Sequence, residues 1–151
     1  MDTAPEGPSG RLRALPTRLL TQAAILANRA TDKALADTGS RRYHYAILVT
    51  LDEHGPASQA EVGRRTGIDR SDVAAAVNDL SAHGHLHRTP DPTDRRRNTL
   101  TLTPAGRSHL HDLDERLEQA QRELLPGFSG ADRANLVLLL TRILEEHSHS
   151  D

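Results

Sequence analysis

At 151 residues the chain is long enough for one domain with a modest core. With 36% hydrophobic but only 2% aromatic residues, that core must be built from Leu, Val, Ile and Ala rather than large rings. The absence of cysteine excludes disulfides and thiol switches. No apolar run reaches the roughly 18 residues of a membrane span and the start carries no signal-peptide pattern, so a cytoplasmic protein without a membrane partner is expected. The net charge of −2 argues against broad electrostatic binding of nucleic acid and shifts attention to local distribution. Lys33 is the only lysine; Arg88 to Arg97 hold four arginines against Asp91 and Asp94, whereas Asp112 to Glu123 hold five acids against Arg116 and Arg122.

The Gly- and Pro-rich start predicts a disordered segment over about residues 1–15. A single domain follows over 16–151. A long first helix is expected over about 16–38, with Leu19, Ala23, Leu26, Ala30 and Ala34 along one side. Gly39 ends it, and Ser40 is placed to cap a second helix that carries Ile47, Leu48 and Leu51 to the stop at Gly55 and Pro56.

From Ser58 to Gly84 the punctuation divides the chain into two short helices. Ser58 and Glu61 form an S-x-x-E capping pattern, and Gly67 sits where a helix ends in the left-handed conformation. Asp69 caps the next helix, whose apolar stripe is Val73, Val77 and Leu80. Two short helices joined through a glycine form a helix-turn-helix pattern, in which the second can lie in a major groove. Opposite the stripe lie Arg70, Ser71, Ala74, Ala75 and Asn78, the candidate groove-facing set. Ser58 and Gln59, at the start of the first short helix, join them as candidate DNA contacts.

The next segment, PDPTDRRRNTLTLTPAG from Pro90 to Gly106, carries the strongest signal. Pro90, Asp91, Pro92, Thr93 and Asp94 are turn formers. Thr99, Leu100, Thr101 and Leu102 alternate at strand period, and His85 to Thr89 form a similar short run. A two-stranded hairpin with Arg95, Arg96 and Arg97 near its tip results. Thr103 and Pro104 then read as an N-cap and a first helical residue. The helix beyond carries Leu110, Leu113, Leu117, Ala120 and Leu124, broken at Pro126 and Gly127; Ser129 caps a last helix with Leu136, Leu139, Leu140, Ile143 and Leu144. Terminal helices this apolar predict a C2 homodimer, with Leu19, Leu26, Leu117, Leu124, Leu136, Leu140 and Ile143 in its interface.

The run from Gln59 to Gly106 resembles the winged helix domain of MarR-type bacterial transcriptional regulators, with DRRRNTLTLTPAG matching the family's wing signature. The resemblance implies a mainly α (α+β) fold, a winged helix-turn-helix over about 40–104 flanked by dimerisation helices over about 16–38 and 104–147. It implies a homodimeric repressor or activator, with a ligand-responsive repressor as the expectation, that binds double-stranded DNA at a pseudo-palindromic operator and often responds to a small molecule. By the same resemblance Arg96 is the wing arginine that enters the minor groove, oriented by Asp94, while Arg95 and Arg97 favour phosphate. The effector crevice would lie between the dimer helices and the DNA-binding lobe, near Asn28, Arg41, Tyr43, His44 and Tyr45. The chain departs from many relatives at Ala74 and Ala75, where they carry threonine and arginine, so more of the binding falls to the wing.

Three other classes fit parts of this sequence less well. Nine histidines, His83, His85, His87, His109 and His111 among them, allow a histidine-based metal-responsive regulator, yet their spacing matches no compact site, and neither metal nor cofactor is expected. No catalytic motif is present, so an enzyme is not expected. A winged-helix interaction module with little DNA specificity is the remaining alternative.

Overall fold

The structure is a computed structural model that describes residues 7–94 and 97–148. A single helical turn, α1 (Gly10–Arg13), lies within the start expected to be disordered and leads into α2 (Pro16–Leu35), which begins with proline at its first turn. Then follow α3 (Arg42–His54), the two-residue strand β1 (Ala57–Ser58), α4 (Gln59–Thr66) and α5 (Arg70–Ala82). The hairpin is β2 (Leu86–Pro90) and β3 (Asn98–Leu102), followed by α6 (Pro104–Leu124) and α7 (Gly130–Ser148). This is the expected winged helix-turn-helix between terminal helices, with one addition. β1 pairs antiparallel with β3, so the sheet has three strands in the order β1-β3-β2.

Local signals set most boundaries. The Ser58 hydroxyl accepts the Glu61 N–H at 3.2 Å, and Gly67 ends α4 at φ 71°. Asp69 caps α5 by accepting from the Ser71 N–H. At α7, Ser129 and Asp132 cap reciprocally, each side chain accepting the other's N–H at 3.1 Å.

The core is aliphatic, as the composition requires. Ile47, Leu48 and Leu51 of α3, Val62 of α4 and Val73, Ala76, Val77 and Leu80 of α5 meet Leu86 and Leu100 from the sheet and Leu110 and Leu113 from α6. Leu35 of α2 joins them, off the stripe read from the sequence. Burial of each such Leu or Ile stabilises by roughly 1.5–3 kcal/mol, enough in sum to hold α5 and the hairpin in one rigid relation.

The start of α3 differs from expectation. Ser40 lies two residues before the first helical residue and is buried, its Oγ 2.8 Å from His109 Nε2. The N-terminal position falls instead to Arg41, whose N–H donates to His44 Nδ1 at 2.8 Å. A tertiary contact has taken the serine that local chemistry would have used as a cap.

Thr103 has two jobs at the base of the hairpin: Oγ1 accepts the Gly106 N–H at 2.9 Å and donates to the Gly84 carbonyl at 2.6 Å. Replacing it with Ala removes the α6 cap and the clasp to the end of α5 together. The expected cost is about 1–2 kcal/mol, measurable as a lower denaturant midpoint with unchanged slope.

Candidate nucleic-acid interface

The α5 stripe determines which residues face outward. With Val73, Ala76, Val77 and Leu80 buried, Arg70, Ser71, Ala75 and Asn78 are exposed and Ala74 is half-buried. The five candidates therefore share one accessible side of the helix. Ser71 also donates through its hydroxyl to Asp69 Oδ2 at 2.6 Å, which ties it to the cap. Asp69 is held below the usual carboxylate range, chiefly by that bond and then by the Ser71 N–H. Ser58 and Gln59 are half-buried at the start of α4, where the Ser58 hydroxyl already takes the Glu61 N–H.

The hairpin tip is built on Asp91. Its carboxylate accepts from the Thr93 N–H at 2.8 Å and the Thr93 hydroxyl at 2.7 Å, and those bonds, the N–H first, hold it below its ordinary range. The Asp91 N–H donates to the Arg97 carbonyl at 2.9 Å, and the Arg97 N–H donates to the Asp94 carbonyl at 3.1 Å. Arg97 is exposed. Arg95 and Arg96, the remaining wing candidates, lie outside the described residues. Pro90, a turn former by composition, is instead the last residue of β2, paired with Asn98.

Sequence reasoning missed Arg88. Its register partner is Leu100, and it lies two residues beyond buried Leu86. Strand alternation therefore turns it to the same sheet face as those leucines, the face on which α5 packs. There an Arg88 Nη donates to Asn78 Oδ1 on α5. The period-two spacing Leu86-x-Arg88 was the available signal.

Behind this surface the histidines form a joint. The His85 and His109 rings stack at 4.1 Å between centroids, and His83 stacks on His85 at 5.9 Å. His44 is buried; because its Nδ1 accepts from Arg41, its ring proton is on Nε2, which donates to Asp79 Oδ2 at 3.1 Å. These contacts join the start of α3 to the end of α5 and to α6. Burial first, then the neighbouring His109, His83 and His44, depresses the basicity of His85; burial first also depresses His109, against the opposing field of Asp112. Since the folded state binds these protons more weakly than the unfolded chain, the associated stability is complete above the unfolded histidine value near 6.5. It is lost as pH falls from there through the lower folded values. Thermal melts are expected to drop between pH 7.5 and 5.5, and to drop less in a His85→Phe, His109→Gln variant. Equal slopes for the two proteins would contradict this. Among the described residues no group of three or more His, Asp or Glu is arranged to hold a metal ion.

The effector candidates separate. Arg41 and Tyr43 line a cavity of about 750 Å3 at the α2–α3 corner, with Asp32, Leu35, Ser40 and Arg42. Asn28 accepts from Arg42 at 2.9 Å beside it. His44 is engaged as above. Tyr45 faces α6, donating to Asp114 Oδ1 at 2.6 Å, and burial followed by that bond raises its phenol above the ordinary value.

Four of the seven candidate dimer residues stay exposed in the single chain. Leu19 and Leu26 are 45% and 56% exposed, Leu140 and Ile143 38% and 43%. Leu124 and Leu136 are half-buried, and Leu117 packs on the core of its own subunit. α7 has no buried residue and no extensive packing on another element. Its anchor is a fork in which Arg133 donates to both oxygens of Glu118 on α6, at 2.6 and 2.8 Å. No helix among the described residues is long and apolar enough to cross a membrane.

Known proteins share this arrangement. A model of the MarR family matches residues 38–97, from the α2–α3 corner to the wing. The HTH-type transcriptional repressor NicR of Pseudomonas putida is 26% identical over 127 residues, 84% of this chain and 77% of NicR. Alignments with six such curated relatives span 48% to 78% of their lengths. The crystal structure of a probable transcriptional regulator from Pseudomonas aeruginosa superposes with a TM-score of 0.76 at 31% identity, covering 88% of this chain and 99% of that one. BpsR of Bordetella bronchiseptica, whose DNA binding is regulated by 6-hydroxynicotinic acid, gives 0.74 at 28% identity over 84% of this chain and 96% of its own. With the family model on the DNA-binding lobe and whole-chain likeness to regulators of the same fold, the chain belongs to the MarR family of DNA-binding transcriptional regulators.

Proposed function

We propose that this regulator is a ligand-responsive repressor that binds a pseudo-palindromic operator as a C2 homodimer. The observation that carries the reading is the single accessible side formed by Arg70, Ser71, Ala75 and Asn78, held beside the β2–β3 hairpin by a buried aliphatic stripe. α5 then lies in the major groove and the hairpin reaches the adjacent minor groove. Ala74 and Ala75 offer only apolar contact, as to a thymine methyl, leaving Arg70 and Asn78 as polar readers. Ser58 and Gln59 meet phosphate at the start of α4. In the wing, Arg96 enters the minor groove oriented by Asp94, and Arg95 and Arg97 take phosphates.

The homodimer is supported by the uncovered apolar surface of α2 and α7. The two helices leave Leu19, Ile25, Leu26, Leu140, Ile143 and Leu144 exposed, and monomers rarely leave a large apolar patch in water. The cavity at the α2–α3 corner is the effector site favoured by its volume and by Arg41, Arg42 and Tyr43. BpsR offers the precedent of small-molecule control. Occupation there would act by changing the spacing of the paired α5 helices.

A mobility-shift titration against operator DNA tests the wing. Arg96→Ala is expected to weaken binding at least about tenfold and to lower the salt slope by about one. Unchanged affinity and slope would remove the wing from the account.

A further inference from the structure

Arg88 occupies a position that neither the wing signature nor the α5 pattern assigns. The register of β2 against β3 turns it to the inner face of the sheet, beyond buried Leu86 and opposite Leu100, where its guanidinium meets Asn78. An arginine has donors only, so the Asn78 atom it meets must be the amide oxygen. Oδ1 is thereby turned toward the strand. The amide nitrogen has no partner among the described residues. An unheld asparagine presents either end of its amide; this one is biased toward presenting a donor.

We propose that Arg88 is a positioning residue for base recognition: by holding Asn78 Oδ1 from the wing strand, it directs Asn78 Nδ2 at an acceptor on a major-groove base edge, such as guanine N7 or O6 or thymine O4. The inference rests on α5 reading the major groove. It makes one strand of the wing part of the specificity of the recognition helix, apart from any contact the wing makes itself. The competing role for an exposed arginine at this place is a phosphate contact, which carries no sequence information. The two roles leave different signatures.

The test uses duplexes enriched from a random pool by the full-length protein, together with every single-base variant of the enriched site, measured by fluorescence anisotropy at two salt concentrations. Asn78→Ala is expected to abolish discrimination at one position per half-site, where the wild type prefers an acceptor edge on the order of tenfold. Asn78→Asp, which still accepts from Arg88 but donates nothing, is expected to lose the same position. Arg88→Met should lose discrimination there too and keep it elsewhere. The inference is overturned if Arg88→Met weakens all duplexes evenly, with a shallower salt slope and intact preferences. It is also overturned if Asn78→Ala or Asn78→Asp leaves every preference in place. If the wild type enriches no sequence, the failure lies in the proposed DNA reading itself. These side chains are exposed, and melting curves of the variants control for folding.

Discussion

Aspartate at both Leu140 and Ile143 is expected to convert the protein to a monomer at micromolar concentration and to weaken operator binding by about a hundredfold or more. The two residues are exposed in the single chain, so the change leaves the subunit core intact. In the dimer they would bury unpaired charge in an apolar contact. The large effect on DNA follows from geometry. One subunit presents one α5 and one hairpin, and the second half-site is met at high effective concentration only when the subunits are joined. Sedimentation velocity gives the mass, and the same sample in a mobility-shift titration gives the affinity. A variant that still sediments as a dimer places the interface elsewhere.

Gly106→Ala is expected to be among the most damaging single changes, costing upwards of about 4 kcal/mol. Helix propensity alone would favour the alanine by about 1 kcal/mol. The site forbids it, because an added Cβ would lie 1.8 Å from the His85 carbonyl oxygen and 2.9 Å from a Leu102 methyl. That carbonyl is fixed, accepting the Thr103 N–H at 3.1 Å. The obstacle is thus backbone, and the hairpin and α6 would have to separate. Against typical domain stabilities of 5–15 kcal/mol, a loss of that size removes a large share of the total. Urea denaturation checks this, and a midpoint equal to the wild type would show that the joint yields.

The helix-turn-helix was legible because its determinants are local. Ser58 with Glu61, Gly67 and Asp69 each set a boundary through a bond or a backbone angle within three residues. The wing strands were legible for the same reason, through alternation and flanking turn formers. Other features depend on partners far away in sequence. β1 is two residues long and exists only through its pairing with β3, so no periodicity could reveal it. Ser40 had the chemistry of a cap, but His109 claims it from 69 residues away. Within the candidate site, outward α5 residues followed from a stripe. The Arg88–Asn78 bond required knowing which sheet face turns to α5. Leu117 shows the limit for assembly: its spacing suited an interface, and it packs on its own core.

Apolar spacing alone does not say whether the covering surface belongs to the same subunit. For α7 the physical argument is stronger. Its apolar side chains from Val137 to Leu140, with Ile143 and Leu144, remain exposed after the chain has folded, and its anchor is an Arg133–Glu118 ion pair rather than packing.

The most direct test of the account is selection from random duplexes by the full-length protein, sequenced after several rounds at moderate salt. The account predicts enrichment of an inverted repeat whose half-sites are centred about one helical turn apart, the spacing that two α5 helices related by a dyad would require. Enrichment of no sequence, or of an isolated half-site without symmetry, would contradict it.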